Sequence, residues 1–164
     1  MEHSIDQLKR KAGETATAFV RSGMVVGLGT GSTAVWAIRQ LAKLIATGKL
    51  SAIVAVPTSE ATAIEARRLD IPLTTLEDSP QLDLAIDGAD EVDVDLNLIK
   101  GGGGALLREK IVAQAAKRLI IAVDESKLSA RLGEQWPVPV EVISFGWKTQ
   151  QQLLEDLGAT VSLR

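Results

Sequence analysis

The chain has 164 residues, 46% hydrophobic, 24% charged and only 3% aromatic, which is the size of one ordinary domain, or one and the beginning of a second, with an aliphatic core. With no cysteine and a single histidine, His3, it lacks the means for a thiol nucleophile, a disulfide scaffold, a cysteine-rich zinc site or most Ser-His-Asp schemes, so chemistry falls to Asp, Glu, Lys, Ser, Thr and backbone N–H groups. A formal charge of −3 argues against nucleic acid or anionic lipid as the main partner and leaves room for a local basic pocket that takes a small anion.

The first thirteen residues carry Glu2, Asp6, Lys9, Arg10 and Lys11 without an apolar stretch, so they do not read as a secretory signal. No apolar run approaches the ~18 residues that span a bilayer. The expectation is a soluble, cytoplasmic protein with no membrane partner. Ser4 and Gln7 have capping-box spacing, and Ile5, Leu8, Ala12, Ala16, Phe19 and Val20 recur at helical spacing, predicting a helix over 5–21. Residues 24–28 are apolar and of strand length, and Gly29-Thr30-Gly31-Ser32-Thr33 leads from them into a helix over 33–46. Further strands are predicted at 52–56, 72–76, 82–86, 96–99 and 119–123, with helices at 59–69 and 105–116. Repeated β then α units imply a mostly parallel α/β sheet covered on both faces, with ligands at the carboxyl ends of its strands. After residue 127 the character changes: Pro137 and Pro139 flank a strand expected at 138–143, followed by a helix over 147–157 and a strand at 160–163.

Three loops at strand ends carry the chemistry. The turn from Gly27 to Thr33 suits phosphate, because its glycines let the backbone approach and the following helix start offers N–H groups. The dinucleotide fingerprint fails at Ser32, no acidic residue ends the next strand, and a Walker lysine is missing, so a phosphate monoester is preferred over NAD or ATP. Asp87, Asp90 and Glu91 place three carboxylates within five residues. Beside a phosphate they imply either metal binding or hydrogen bonding and proton transfer with sugar hydroxyls, unless the loop is merely solvated. Asp93 and Asp95 read as a solvated turn. Lys100 before Gly101-Gly102-Gly103-Gly104 sets a cation beside backbone donors, suited to a developing oxyanion. Glu109 is either a surface glutamate favoured by its helix start or a general base pointing back over the glycine loop.

Taken in order, 26–33, 87–91, 100–106, Arg108-Glu109-Lys110, Asp124-Glu125-Ser126-Lys127 and Pro137-Val138-Pro139-Val140-Glu141-Val142 resemble the type A family of ribose-5-phosphate isomerases over essentially the whole chain. The resemblance implies a Rossmann-like domain over 1–127 and, over 128–164, the start of a small α/β (ferredoxin-like) domain that family members continue well beyond Arg164, so that a shortened chain is expected. It implies interconversion of D-ribose 5-phosphate and D-ribulose 5-phosphate through a cis-enediolate, in the pentose phosphate pathway and, in photosynthetic organisms, the Calvin cycle. It implies no metal, no organic cofactor, and a homodimer or homotetramer in full-length members.

Carried over by position, Lys9, Thr30, Gly31, Ser32 and Thr33 would hold the substrate and its phosphate, with Lys127 a further contact. Asp87, Gly88, Ala89 and Asp90 would contact sugar hydroxyls, the two aspartates assisting ring opening. Lys100, Gly101, Gly102 and Gly103 would bind the reacting end, and Glu109 would be the catalytic base, its carboxyl raised by desolvation. Noncatalytic alternatives are a sugar-phosphate sensor domain and an inactive fragment of the isomerase.

Overall fold

A computed structural model describes residues 4–164, and His3 lies outside the described residues. Its elements are α1 (Ile5–Ala16), β1 (Val25–Leu28), α2 (Ala34–Ala46), β2 (Val54–Pro57), α3 (Glu60–Arg68), β3 (Leu84–Asp87), β4 (Glu91–Val92), β5 (Leu98–Ile99), α4 (Leu106–Ala115), β6 (Leu119–Ile121) and α5 (Trp147–Asp156). The Ser4 hydroxyl accepts from the Gln7 N–H and the Gln7 side chain accepts from the Ser4 N–H, which closes the predicted capping box of α1. The helix stops short of residue 21 because the Thr17 hydroxyl turns back onto the Glu14 carbonyl and residues 17–19 tighten into a 3-10 turn.

β2, β1, β3 and β6 form one parallel sheet in that order. Successive strand residues serve opposite faces. Val26, Leu28, Leu84 and Ile86 pack with Ala37, Ile38 and Leu41 of α2, Ala16 of α1 and Ala66 of α3. Ala85, Val56 and Leu82 meet Val112 of α4 on the other side. Both faces are therefore covered, and each of these core residues is aliphatic. The chain runs from β1 outward to β2 and then returns to the opposite side of β1 as β3, so the connections diverge between β1 and β3. In open parallel sheets a crevice forms at such a point, beyond the carboxyl ends of the strands.

β4 and β5 form a small antiparallel ribbon, with Glu91 opposite Ile99 and Val92 opposite Leu98. The Asp93 carboxylate closes it by accepting from the N–H groups of Asp95 and Asn97. Only part of this ribbon is predicted from the sequence, since Glu91 belongs to an acidic run that reads as loop. Three expected strands are absent among the described residues. Residues 72–76 give a single bridge, Leu73 to Ala55, where Pro72 supplies a carbonyl but has no N–H to continue a ladder. Residues 138–143 and 160–163 contain no strand; Pro137 and Pro139 lack donors, and no described strand lies alongside to pair with them. The predicted helix over 147–157 forms as α5. No helix of the described residues is long and apolar enough to cross a membrane.

Candidate active site

The crevice between β1 and β3 is built by close approach. The Gly29 N–H donates to the Ile86 carbonyl at 2.8 Å, so the β1–β3 ladder runs straight into the glycine turn. A Cβ at Gly29 would fall inside the Asp87 carboxylate and 2.6 Å from the Asp87 Cα, so only glycine permits this contact. Asp87, at the end of β3 and 4% exposed, accepts through Oδ1 from the N–H groups of Gly88 (2.8 Å) and Thr30 (3.1 Å). Its other oxygen, Oδ2, lies 3.0 Å from the Lys100 ammonium.

Lys100 leaves β5 and reaches back over the same point. Its Nζ contacts Asp87, the Gly88 carbonyl at 2.5 Å and Glu109 Oε2 at 3.0 Å. One ammonium thus bridges two buried carboxylates. Glu109 stands in the first turn of α4 yet is only 7% exposed, so it is not the surface glutamate that its position allows. Burial raises its carboxyl above the ordinary range and the Asp87 carboxylate adds to this, while Lys100 opposes both. Asp90 accepts from the Gly102 N–H at 2.7 Å, which ties the four-glycine loop to the carboxylate loop.

Thr30, Gly31, Ser32, Thr33, Gly88, Ala89, Asp90, Lys100, Gly101, Gly103, Glu109 and Lys127 line one polar cleft of about 120 Å³. Asp87 lines the adjoining, largely apolar cavity, which shares Lys100 and Glu109 with the cleft. Besides Asp87, two expected contacts, Gly102 and Lys9, are not among the lining of the cleft. Gly102 spends its N–H on Asp90. Lys9 stands on α1, where its charge helps to lower the carboxyl of Asp124, the cap of the 3-10 turn that follows β6. The third carboxylate of the acidic run also points elsewhere: Glu91 is fully buried and accepts from the Ser129 hydroxyl and the N–H groups of Gly133, Glu134, Gln135 and Trp136. Burial would raise its carboxyl, and these donors outweigh it and hold it below the ordinary range. Among the described residues no three His, Cys, Asp or Glu side chains are grouped to hold a metal ion.

Thr30 is placed at the cleft with a side chain engaged from behind. Its hydroxyl lies 2.8 Å from those of Thr58 and Ser59 and 3.2 Å from that of Thr62. Thr58 also donates to the Leu28 carbonyl, and Thr62 to the Gly29 carbonyl. This ring of hydroxyls clamps the glycine turn to the start of α3, and sequence reading misses it. In the sequence Thr58, Ser59 and Thr62 only stand at the start of a predicted helix, which Ser59 caps in the structure. What Thr30 adds to the cleft is its position. Ser32 and Thr33 line the cleft beside the start of α2, where the Val35 and Trp36 N–H groups are already donated to the Gly31 and Thr33 carbonyls.

Residues 54–164 match the family described as ribose 5-phosphate isomerase A (phosphoriboisomerase A). The ribose-5-phosphate isomerase A of Desulfatibacillum aliphaticivorans is 56% identical over 161 residues, covering 98% of this chain and 70% of the relative; that of Chloroflexus aurantiacus is 55% identical, covering 98% and 67%. A solved D-ribose-5-phosphate isomerase in complex with phospho-erythronic acid superposes with a TM-score of 0.97 at 42% identity, over 99% of this chain and 71% of that one. On sequence and on fold alike, this chain belongs to the ribose-5-phosphate isomerase A family.

Proposed function

We propose that this chain is an aldose–ketose isomerase that interconverts D-ribose 5-phosphate and D-ribulose 5-phosphate in pentose phosphate metabolism, with Glu109 as its base. The observation that carries the reading is the buried Glu109–Lys100–Asp87 array, with 3.0 Å from the ammonium to each carboxylate. Gly31, Ser32, Thr33 and Lys127 take the phosphate, and the helix start favours its charge. Asp87 and Asp90, with Gly88 and Ala89, face the sugar hydroxyls. The two aspartates pass protons between oxygens during ring opening.

In the open aldose the C2 proton is acidified by the neighbouring C1 carbonyl. Glu109 removes it, and the electron pair left behind forms the C1–C2 double bond as the C1 oxygen becomes anionic. A proton passes from O2 to O1, and Glu109 returns its proton to C1, leaving the carbonyl at C2. Lys100 and the glycine-loop N–H groups stabilise the enediolate oxygen. An ordinary glutamate is a weak base for such a proton, and desolvation of Glu109 corrects this in the needed direction. A site that only bound sugar phosphate would have no use for a buried, raised carboxyl on its wall.

A coupled assay of ribose 5-phosphate conversion, run with and without EDTA, tests the proposal. The expected results are turnover unaffected by EDTA, and a loss of at least about a hundredfold in kcat for Glu109→Gln with substrate binding retained. Near-normal activity of that variant removes Glu109 from its role, and inhibition by EDTA overturns the metal-free mechanism.

A further inference from the structure

Lys127 lines the cleft from the short 3-10 turn after β6, and among the described residues it makes no ion pair. Its partner is an aromatic face: the ammonium lies 5.1 Å from the centre of the Trp136 ring. A ring holds a cation by its quadrupole without cancelling the charge, so a lysine parked on it still presents a full positive charge to an anion. Trp136 is in turn fixed by its backbone, because its N–H donates to Glu91 Oε2 at 3.2 Å. Glu91 is fully buried with no cation beside it, and is solvated instead by the run of N–H groups from residues 133–136 and by Ser129. Successive N–H groups converging in this way form a nest, a concavity that suits an anion. It ties residues 129–136 to Glu91 of β4, directly after the Asp87–Asp90 loop, so the segment that carries the Trp136 ring is bonded to the strand that follows the carboxylate wall of the cleft.

From this arrangement we propose that Trp136 is a positioning residue for the phosphate site: its indole face holds the Lys127 ammonium ready at the cleft, and the nest on Glu91 fixes that face. A flexible lysine loses rotamer freedom when it grips an anion, and one already parked has lost most of it beforehand. The proposal rests on the reading of the cleft as a sugar-phosphate site.

The test is calorimetric titration of the 164-residue chain with phospho-erythronic acid, alongside kcat and KM for ribose 5-phosphate, for the parent, Trp136→Leu, Trp136→Phe, Lys127→Ala and the Lys127→Ala/Trp136→Leu double variant. Trp136→Leu is expected to weaken binding and raise KM about threefold to tenfold with little change in kcat, and Trp136→Phe to stay within about twofold of the parent. On the Lys127→Ala background the leucine substitution is expected to add nothing further. Should the leucine variant not fold, Trp136→Met repeats the comparison with apolar bulk and no ring. Parent-like binding by Trp136→Leu overturns the proposal, as does a loss that adds in full to that of Lys127→Ala. Parent-like binding by Lys127→Ala overturns the proposal as well, whereas no binding by the parent overturns the sugar-phosphate reading beneath it.

Discussion

Two residues show how much of the site depends on a single atom or a single charge. Gly29 sits against Asp87 with no room for a methyl group, so Gly29→Ala forces either the β1–β3 ladder or the carboxylate to move. We expect a loss of about 1–3 kcal/mol in urea unfolding together with loss of turnover. Glu109 carries the opposite tension. Its carboxyl is raised above the ordinary 4.5 by burial and by Asp87. The folded chain thus holds this proton more tightly than the unfolded chain, and the group's contribution to stability is whole below 4.5 and fades as pH rises through the folded value. Glutamine cannot ionise, so Glu109→Gln should be more stable than the parent at about pH 8 and equal to it near pH 4, as read by urea unfolding at both. The acid limb of the parent's pH–rate profile should have its midpoint above 4.5. A limb below that value would contradict the raised carboxyl.

Among the elements, the hydroxyl ring between the glycine turn and α3 makes the clearest claim. Thr62 is 4% exposed, donates to the Gly29 carbonyl at 2.9 Å and accepts from Ser59. Thr62→Val keeps the shape and leaves that carbonyl and the ring short of a proton, which should cost about 1–3 kcal/mol, while Thr62→Ser should recover most of it. Thermal unfolding of the two variants checks this, and equal loss in both would assign the effect to packing. The helices and the four strands of the main sheet are legible in the sequence because their signals are local: Ser4 with Gln7, the apolar run before Gly29, and the helical spacing through Leu41. What is not legible depends on distant partners. Glu91 looks like its acidic neighbours until residues 129–136 fold around it, and nothing in the sequence shows that the Thr30 hydroxyl meets those of Thr58, Ser59 and Thr62. Residues 138–143 have strand composition, yet composition cannot supply the neighbouring strand a ladder needs.

At the scale of the whole molecule, the candidate site is legible as a set of blocks but not as a geometry. Glu109 is one of several exposed-looking glutamates in the sequence, and only the return of Lys100 along the β4–β5 ribbon makes it one of a buried pair. The bonds that shape the cleft join residues far apart in the chain: Thr30 to Asp87 across 57 positions, and Glu91 to residues 133–136 across 42 to 45. Contacts of that span carry the largest loop-closure entropy and form late. In refolding monitored by stopped flow, recovery of phospho-erythronic acid binding is therefore expected to coincide with the last change in the backbone signal; binding ahead of it would mean that the glycine turn suffices by itself. The tie from Asp87 to Thr30 thus has a meaning for the life of the molecule as well as for its chemistry. A chain that has not closed its sheet has no pocket to offer, so the metabolite engages only finished molecules and draws the folding equilibrium toward them.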